Sequence, residues 1–484
     1  MKKLTDILKN TPVREVCGDT AAAIGGLVYD SRAVKPGDCF FAVPGTQSDG
    51  HDYIPMAVEK GAAAIVCERM PADAAEGVAY VLVGDSAGAM ADMAAAFYDY
   101  PSRELKLVGI TGTNGKTTTA TLLYDLVRAM GYKAGLISTV VYKIDGREVE
   151  ATHTTPDSIR LNAMMREMAD AGCAYCFMEC SSHAIVQERT RGLDFAGGIF
   201  SNITHDHLDY HKTFAEYIRA KKLFFDGLPK GAFALTNADD RNGRVMVQNT
   251  AAAVSAYSLR AMADFRCKIV EMHLDGMLLR IDGQELWVGL LGRFNAYNLL
   301  AVYGAAALLG LNRGEVLRVL SMLHAVSGRF EKIRAANGTT AIVDYAHTPD
   351  ALENVIQTIE EIRTPGQQLI VVCGCGGDRD RTKRPEMAAI AVKYATTAVF
   401  PSDNPRHESP EAILDDMVAG LEPGARYLRI ADRAEAIRTA VMLSRPGDII
   451  LVAGKGHETY QIVGDVKHPF DDREEIKKRF ALLN

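Results

Sequence analysis

A short loop of glycines, a lysine and threonines is the part of the sequence best suited to chemistry. The apolar run 105–110 leads into Gly112 and Gly115. Lys116 then opens a helical pattern that Gly131 is expected to end. Backbone N–H groups at a helix start attract anions, a lysine adds positive charge, and a hydroxyl can bind Mg²⁺. The layout predicts a loop for the phosphates of a nucleoside triphosphate; the alternative is a glycine turn beside a surface lysine.

Acidic and histidine side chains follow two later apolar runs. Glu179 ends the run 175–178, where it would lie at the carboxyl end of a strand beside the loop. A carboxylate there suits Mg²⁺, although a solvated strand end is the alternative. The stretch 202–211 follows the apolar run 197–200 and holds three histidines and two aspartates. We expect one or two of them to contact metal or phosphate.

One lysine lies where a helix should bury its side chains. Thr213-x-x-Glu216 resembles a capping box, which predicts a helix to about Leu228. Its apolar stripe is formed by Phe214, Tyr217, Ile218, Phe224, Phe225 and Leu228. Lys221 falls on this stripe, whereas Lys222 and Arg219 fall off it. A buried lysine extends its amine to solvent, finds a partner or loses its charge, and the spacing leaves these three outcomes open.

The cysteines are interpreted as buried apolar residues. Cys173-x-x-Cys176, with Cys180 beyond, is a spacing also found in metal and redox sites. The surrounding sequence instead has the character of a buried strand, in which cysteine acts as a small apolar side chain. Cys373 and Cys375 receive the same interpretation.

Length and composition indicate how these residues are organised. A chain of 484 residues predicts about three domains. Boundaries are expected at 98–103 and near 327–329, which gives domains 1–100, 101–327 and 328–484. β-type runs alternate with helical patterns, so we predict α/β domains with mainly parallel sheets.

The composition also limits the class of partner. A net charge of −7 argues against a nucleic-acid partner. The basic N-terminus lacks the apolar stretch of a signal peptide. The most apolar window, 299–311, is too short for a membrane span and predicts a buried helix. We therefore expect a cytoplasmic enzyme without membrane insertion.

The last third of the sequence repeats one arrangement. The runs 369–373, 398–400 and 449–452 each precede a polar turn, and carboxyl ends of parallel strands face one crevice. Two arginines and two acids would meet there, which suits a zwitterionic ligand. These four side chains are Arg379, Arg406, Asp403 and Glu458. The alternative for Arg406 is a purely structural role in its turn.

Taken together, these stretches resemble the Mur ligase family, the ATP-dependent amino-acid ligases of peptidoglycan synthesis. The matching segments are 111–118, 179–183, 206–209, 345–350 and 454–458. The family's shorter glycine loop accounts for Ile110, which stands where the usual phosphate loop has glycine. Segments 30–32 and 37–50 resemble the uridine-diphosphate domain of one member. The resemblance implies a central P-loop ATPase-like domain with a mainly parallel sheet, an N-terminal UDP-binding α/β domain and a C-terminal Rossmann-like α/β domain.

The resemblance also implies the site residues. ATP would contact Gly112, Thr113, Asn114, Gly115, Lys116, Thr117, Thr118, Asn295, Arg329, Asp344 and His347. Lys116, Glu179, His207 and Lys221 would be catalytic. Mg²⁺ would be held by Thr117, Glu179, His207 and a carbamylated Lys221. The UDP-muramoyl peptide would contact Tyr29, Ser31, Thr46, Gln47, Ser48, Thr154, Thr155, Ser182, Gln187 and Arg189. The amino acid would contact Arg379, Asp403, Asn404, Pro405, Arg406, Gly454 and Glu458.

The implied reaction is amide formation through an acyl phosphate. In the family, Asp-Asn-Pro-Arg at 403–406 marks enzymes that add meso-diaminopimelate. This amino acid has one carboxylate more than lysine, and a cation would bind that carboxylate. The resemblance implies that ATP and Mg²⁺ serve to join this amino acid to the D-Glu γ-carboxylate of UDP-MurNAc-L-Ala-D-Glu. Domain closure would keep water from the intermediate. We expect a monomer. Cys180 replaces a valine common in relatives, and both residues suit a buried strand.

Two other functions remain open on the sequence alone. A sister ligase, such as folylpolyglutamate synthetase or another muramoyl ligase, would share the central domain, but segments 30–32 and 403–406 argue against it. A nucleotide-driven switch without ligase chemistry would leave Lys221 and the third domain unexplained. Phosphate release with a panel of amino acids distinguishes these possibilities.

Overall fold

The computed structural model of the protein describes residues 1–45, 48–204, 206 and 208–483. Within these residues the large sheets come from three successive stretches of chain, called here the N-terminal, central and third units. Helices cover the sheets, and most neighbouring strands inside each sheet run parallel. The predicted α/β class is confirmed. The domain limits at residues 100 and 327 stay a prediction.

The N-terminal unit is a small sheet between helices. Its strands are β1 Lys2–Lys3, β2 Val13–Cys17, β3 Ala23–Ile24, β4 Leu27–Val28, β5 Cys39–Phe41, β6 Ala64–Cys67 and β7 Ala79–Val83. Its α-helices are α1 Leu4–Ile7, α2 Ile54–Glu59 and α3 Ser86–Phe97, and 3₁₀ turns cover Ser31–Ala33, Gly50–Tyr53 and Pro101–Glu104. The sheet order is β2-β7-β6-β5-β4, with β2 antiparallel. Alternate side chains face α1 and α3 on one side and α2 on the other.

The central unit is built on the longest sheet. Its strands are β8 Lys106–Thr111, β9 Ala134–Ile137, β10 Val141–Ile144, β11 Arg147–Glu150, β12 Tyr175–Glu179, β13 Gly197–Phe200, β14 Phe233–Asn237, β15 Ala253–Ser258, β16 Phe265–His273, β17 Gly276–Ile281 and β18 Gln284–Val288. Its helices are α4 Lys116–Ala129, α5 Ser158–Asp170, α6 Ser182–Val186, α7 Leu208–His211, α8 Phe214–Asp226, α9 Gly243–Met246, α10 Arg293–Leu308 and α11 Arg313–Leu320. The order is β11-β10-β9-β12-β8-β13-β14-β15-β16-β17-β18. Antiparallel hairpins at both edges flank parallel strands, and β8 and β12 lie side by side in the middle.

The third unit has the order β19-β20-β24-β21-β22-β23. Its strands are β19 Glu331–Arg334, β20 Thr340–Asp344, β21 Leu369–Cys373, β22 Thr397–Phe400, β23 Tyr427–Arg429, β24 Ile449–Ala453, β25 Tyr460–Val463 and β26 Val466–Pro469. Its helices are α12 Pro349–Ile362, α13 Lys383–Tyr394, α14 Pro410–Val418, α15 Arg433–Leu443 and α16 Asp472–Phe480. Strands β25 and β26 form a separate hairpin. One continuous apolar cluster runs from α4 through α10 to α12, so the central and third units share a core.

Local predictions agree with these elements. Gly131 takes a left-handed conformation (φ +90°) just past α4. The Thr213 hydroxyl accepts the Glu216 N–H and caps α8, which ends two residues before the predicted Leu228. Helix α10 contains most of the apolar window 299–311. Among the helices of the described ranges, none is both long and apolar enough to cross a membrane.

The cysteine interpretation is also confirmed. Cys176 lies inside β12 and is fully buried, and Cys173 and Cys180 are buried on either side of that strand. Cys373 ends β21 and Cys375 follows it, both buried. All nine cysteines, which lie within the described ranges, are free thiols.

Candidate active site

The glycine loop joins the central strand β8 to helix α4. Gly112 and Gly115 have φ angles of +150° and +86°. A Cβ on Gly112 would lie 1.9 Å from Ser201 Oγ, and one on Gly115 would lie 2.5 Å from Asn298 Oδ1. Since both conformation and space exclude a side chain, the loop requires glycine at these two positions. The backbone therefore curls tightly before the first turn of α4, as a phosphate cradle requires.

Lys116 lies over this loop. Its Nζ donates to the carbonyl oxygens of Gly112 (2.9 Å) and Thr113 (2.8 Å). Burial lowers the pKa of Lys116, while the carboxylates of Glu179 and Asp206 act in the opposite direction. The amine is thus held at the cradle and close to carboxylates on neighbouring segments.

Glu179 ends β12 beside the loop, as the sequence predicts. Its side chain is buried, and both carboxylate oxygens accept hydrogen bonds from Thr139. The Thr139 N–H donates to Oε1 (2.7 Å) and the Thr139 hydroxyl donates to Oε2 (3.1 Å). The Thr155 hydroxyl donates to the Glu179 backbone carbonyl (2.7 Å). These contacts fix the carboxylate while leaving lone pairs on each oxygen for a further partner.

Lys221 lies on the buried face of α8, as predicted, and its side chain is almost wholly inaccessible. Its Nζ donates to the Gly112 carbonyl oxygen (2.8 Å) and lies 4.6 Å from the centre of the Tyr217 ring. The Tyr217 hydroxyl in turn lies 3.1 Å from Thr113 Oγ1. Burial first, and then the positive charge of Lys116, place the pKa of Lys221 well below its ordinary value. The amine therefore points into the site and does not extend to solvent.

A cavity of about 590 Å³ opens above the loop between the central and third units. From the third unit it is bordered by Arg329, Asp344, Tyr345, Ala346, His347, Asp350, Ala351, Asn354 and Val355. Asn114 Nδ2 and the Thr204 hydroxyl donate to Asp350 Oδ2 at 3.1 and 3.3 Å. Arg329 Nη2 lies 3.2 Å from Thr117 Oγ1. The third unit thus contacts the glycine loop directly.

The remaining residues predicted to contact ATP border this cavity, except for Asn295. Asp344 is buried, and its Oδ2 accepts the Phe330 N–H (2.7 Å). Burial lowers the pKa of His347. Asn295 lies behind Asn298: it accepts from Asn298 Nδ2 at 3.1 Å, and Asn298 borders the cavity. Thr117 and Thr118 line its floor.

The residues predicted to contact a muramoyl peptide lie around the start of α6. Arg189 donates to the Thr155 carbonyl (2.6 Å) and to the Gln187 side chain. Ser182 Oγ lies 2.8 Å from His211 Nε2. Thr154 Oγ1 lies 3.1 Å from Thr139 Oγ1.

The N-terminal unit approaches this region through Tyr29. Burial and the carboxylate of Asp157 raise the pKa of Tyr29, and Arg189 opposes them, so these three groups are neighbours. Ser31 is buried in the turn that follows Tyr29, and Ser48 is exposed. Three predicted residues lie outside the described residues, namely Thr46, Gln47 and His207.

The side chains predicted to bind an amino acid meet at the carboxyl ends of β21, β22 and β24. A Cβ added at Gly376 would lie 3.0 Å from Arg406 Nη1 and 3.9 Å from Arg379 Cγ, so both arginines border one backbone segment. Asn404 Nδ2 donates to Glu458 Oε2 (2.9 Å). The side chains of this set therefore lie at one end of the sheet, and their binding of an amino acid stays a prediction.

Two glycines without room for a side chain and the charged groups around Arg406 lie in the same crevice. Gly454 has φ +114°, and a Cβ there would lie 2.7 Å from Asp403 Oδ2. A Cβ added at Gly377 would lie 1.9 Å from the Pro405 carbonyl oxygen, so no side chain fits there. Burial and then the charge of Arg379 lower the pKa of Arg406, while Asp403, Glu458 and Asp378 oppose this shift. Positive and negative groups thus lie near one another at this end of the sheet, an arrangement that suits a zwitterion.

The sequence interpretation missed three residues of the site. Thr139 follows the carboxyl end of β9, next to β12, so the rule that located Glu179 also applies to it. Asn298 lies three residues after Asn295, on the same helix face. Asp350, which ends the matching segment 345–350 without having been assigned a role, borders the cavity from α12, and nothing local to its sequence indicates the contact with Asn114.

Comparisons with known proteins agree over all three units. Residues 110–306 match the family described as Mur ligase middle domain, residues 328–456 match "Mur ligase, glutamate ligase domain", and residues 23–98 match "Mur ligase family, catalytic domain".

Similar proteins span the whole chain. The UDP-N-acetylmuramoyl-L-alanyl-D-glutamate--2,6-diaminopimelate ligases of Phocaeicola vulgatus and Bacteroides fragilis are each 55% identical to it, covering 99% of both sequences. A solved structure of a ligase with the same name is 31% identical, has a TM-score of 0.71 and covers 99% of both chains. A MurF ligase from Thermotoga maritima in complex with ADP shares the fold at 19% identity, with a TM-score of 0.63 over 95% of this chain and 97% of the other. The chain belongs to the Mur ligase family.

Proposed function

We propose that this protein is an ATP-dependent ligase that joins meso-diaminopimelate to the D-Glu γ-carboxylate of UDP-MurNAc-L-Ala-D-Glu in peptidoglycan precursor synthesis. The names of relatives 55% identical over the full chain support this reaction. The observation that carries the choice of amino acid is that Arg379 and Arg406 both border Gly376, while Asp403 lies beside Gly454 and Glu458 accepts from Asn404 at the same end of the sheet. Meso-diaminopimelate carries two carboxylates, which the two arginines match in number and sign.

The glycine loop is proposed to hold the ATP phosphates. The backbone N–H groups at the start of α4 and the Lys116 amine supply positive potential around Gly112 and Gly115. Arg329 contacts Thr117 across the cavity, so it is placed to add charge near the terminal phosphates. Asn298, Asp344 and His347 border the space left for the nucleoside.

The donors around the loop suit Mg²⁺. Among the described residues, no group of three or more His, Cys, Asp or Glu side chains forms a metal cage. Mg²⁺ usually keeps several waters and binds one or two carboxylates together with substrate phosphates, so a cage is not required. Glu179 and the Thr117 hydroxyl would hold the ion, with His207 and a carbamate on Lys221 as further proposed ligands. When bound, the ion neutralises charge on the phosphates.

Lys221 is proposed to carry the carbamate. Its nitrogen would attack the carbon of CO₂, forming an N–C bond and releasing one proton, which converts an amine into an anion. The buried position of the amine and its low pKa support an unprotonated nucleophile at this site. The same burial makes a protonated lysine costly there.

The proposed reaction has two steps. A γ-carboxylate oxygen attacks the γ-phosphorus of ATP, so ADP leaves and an acyl phosphate forms. The free amine of meso-diaminopimelate attacks the acyl carbon and its nitrogen loses one proton, and collapse of the tetrahedral intermediate breaks the C–O bond, releases inorganic phosphate and leaves an amide. Lys116 stabilises charge on the transferred phosphoryl group. The contacts of Asp350 with Asn114 and Thr204 join the third unit to the loop, and closure of the units over the cavity would keep water from the acyl phosphate.

The remaining expectations are proposals of the same kind. The nucleotide end of the muramoyl substrate is assigned to the region of Tyr29, Ser31 and 46–48, and its peptide end to Thr154, Ser182 and Arg189. We propose three domains with limits at 100 and 327. A monomer acting in the cytoplasm, where ATP and the UDP-linked substrate are available, completes the proposal.

Phosphate release tests this function directly. The protein is incubated with ATP, Mg²⁺ and UDP-MurNAc-L-Ala-D-Glu, and meso-diaminopimelate is compared with L-lysine and L-glutamate. We expect release that needs both the muramoyl substrate and meso-diaminopimelate, with the amide product detected by mass spectrometry. Preference for L-lysine or L-glutamate would refute the choice of amino acid. Release that is indifferent to the muramoyl substrate would refute the ligase.

A further inference from the structure

The hairpin β25–β26 is attached to the amino-acid turn 403–406 through the backbone of Arg406. The Arg406 N–H donates to the Ile462 carbonyl (3.1 Å), and the Gly464 N–H donates to the Arg406 carbonyl (2.8 Å). The hairpin therefore pairs with Arg406 as a neighbouring strand would, and an isolated bridge joins Arg406 to Val463. The arginine is fixed at its backbone by an element outside its own loop.

Arg406 needs such an attachment because its backbone is strained. Its φ angle is +51°, in the left-handed region that side chains with a Cβ rarely occupy. A residue persists in this region only where surrounding contacts over-determine it. The conformation directs the guanidinium back toward Gly377, whose carbonyl accepts from Nη1 (2.8 Å). Without the hairpin bonds, the turn is expected to relax and to move the guanidinium away.

The same hairpin also holds the two residues at the start of the turn. Gln461 Nε2 donates to the Asp403 backbone carbonyl (2.6 Å). The Ile462 N–H donates to the Asn404 side-chain oxygen (2.9 Å). Each of the three polar residues of the turn thus has at least one hydrogen bond from the segment 461–464.

A buried lysine joins this arrangement from the segment that leads into the hairpin. Lys455 is completely inaccessible, and its Nζ donates to Asn404 Oδ1 (3.1 Å) and Glu458 Oε2 (2.9 Å). Asn404 donates to the same Glu458 oxygen. The lysine is therefore surrounded by two groups assigned to the amino-acid site, while its own amine is closed off from solvent.

We propose that hairpin β25–β26 determines amino-acid specificity by holding the turn 403–406, with Gln461 and Lys455 as positioning residues. This inference rests on the proposed function, since it concerns how one amino acid is selected. Recognition of a second carboxylate needs a guanidinium placed to within about half an ångström. The hairpin supplies that placement: it fixes the Arg406 backbone, while Lys455 fixes the acid and amide opposite.

Gln461→Leu is the principal test because it removes the bond to the Asp403 carbonyl and keeps the size of a half-buried side chain. The matched control is His468→Leu. His468 is the cross-strand partner of Gln461, its side chain is exposed, and within the described residues it makes no hydrogen bond to the turn. KM for meso-diaminopimelate, KM for ATP and kcat are measured by phosphate release, together with thermal unfolding.

We expect Gln461→Leu to raise KM for meso-diaminopimelate by about fivefold, the effect of one lost hydrogen bond, with KM for ATP unchanged. His468→Leu should leave both constants as they are. An unchanged KM for meso-diaminopimelate, or an equal rise in both KM values, would overturn the proposal. An equal rise is what a purely structural role of the hairpin gives.

Measurements on a second variant and on the wild type show whether the role of the hairpin or the proposed function itself has failed. Lys455→Met should raise KM for meso-diaminopimelate more than Gln461→Leu does, because Asn404 and Glu458 both lose a partner. If Lys455→Met does not fold, the KM values of Gln461→Leu alone test the role of the hairpin. Wild-type protein that shows no preference for meso-diaminopimelate refutes the proposed function. A wild-type preference combined with an unaltered Gln461→Leu variant refutes the role of the hairpin alone.

Discussion

The Lys221 amine donates a 2.8 Å hydrogen bond to the Gly112 carbonyl, between residues 109 positions apart in the sequence. The apolar face of α8 therefore places one amine against the glycine loop. The proposed role of Lys221 in the active site would account for a lysine on an otherwise apolar stripe. Tyr217, one turn earlier, contacts both the amine and the loop residue Thr113.

Lys221→Met is expected to abolish ligation without weakening the fold. Methionine fills similar space, and loss of a buried amine removes a desolvation cost, so the thermal midpoint should not fall. Phosphate release should drop by about 100-fold or more, in the range for loss of a key electrostatic group. Lys222→Met is the matched control, since Lys222 points away from the stripe and pairs with Asp226. Retained activity in Lys221→Met would disprove its assigned role.

The proposed carbamate on Lys221 has its own signature. Protein equilibrated with ¹³C-bicarbonate should show a carbamate carbon resonance by NMR. Lys221→Met should lack that resonance, and Lys222→Met should keep it. A spectrum identical in wild type and Lys221→Met would show that the site carries no carbamate.

Thr139 should control the affinity for Mg²⁺ through Glu179. Thr139→Val removes the hydroxyl that donates to Oε2 and keeps the backbone bond to Oε1. Loss of a group that orients a metal ligand typically costs about 10- to 100-fold in metal affinity. We therefore expect the Mg²⁺ concentration for half-maximal activity to rise about tenfold, whereas Thr139→Ser should behave as wild type. Equal Mg²⁺ dependence in both variants would contradict this role.

Arg406→Gln tests the cation assigned to the second carboxylate. KM for meso-diaminopimelate should rise about 10- to 100-fold, the usual worth of hydrogen bonds to a charged group, while KM for ATP stays constant. Arg381→Gln, at an exposed arginine in the same region, is the control and should change neither constant. Parallel losses for ATP and the amino acid would remove the basis for the assignment.

His457 makes the fold sensitive to acid. Burial, followed by the positive charges of Arg329, Arg473 and Lys455, lowers the pKa of His457 to about 3. Its ordinary pKa is 6.5, so the unfolded chain binds the proton first as pH falls. Stability contributed by the neutral ring is complete above pH 6.5 and is lost progressively toward pH 3, at up to about 1.4 kcal/mol per pH unit.

The measurement compares variants by denaturant unfolding at several pH values. His457→Phe should show a smaller loss of unfolding free energy between pH 6.5 and pH 5 than wild type. His324→Phe, at an exposed position, should keep the wild-type slope. Identical slopes in wild type and His457→Phe would exclude His457 as the source of acid sensitivity.

The buried pair Arg433–Asp472 should stabilise the third unit only while both partners are present. Arg433 donates to both Asp472 oxygens (2.8 and 2.7 Å), and both side chains are fully buried. Arg433→Met alone leaves an unpaired buried carboxylate and should cost about 3–5 kcal/mol. Arg433→Met combined with Asp472→Leu should recover much of that loss in thermal unfolding. A double variant no more stable than the single one would contradict the argument.

Much of the fold was predictable because its signals are local. The strand–turn–helix layout at Gly112, the cap at Thr213 and the stripe around Lys221 each depend on residues within a few positions of one another. Hydrophobic periodicity and turn chemistry encode such features directly. The rule that the carboxyl ends of parallel strands lie along one edge of a sheet also predicts the positions of Glu179 and the turn 403–406.

The sequence by itself determined the α/β class, the glycine loop between strand and helix, and the residue types available for chemistry. Only the tertiary structure decided which of those residues touch. Asp350 meets Asn114 across 236 positions, Thr139 meets Glu179 across 40, and Gln461 meets Asp403 across 58. No periodicity relates such pairs, because their proximity arises from how sheets and units pack together. Packing also decided that the Lys221 amine faces the glycine loop and that the strained backbone of Arg406 is hydrogen-bonded to a hairpin.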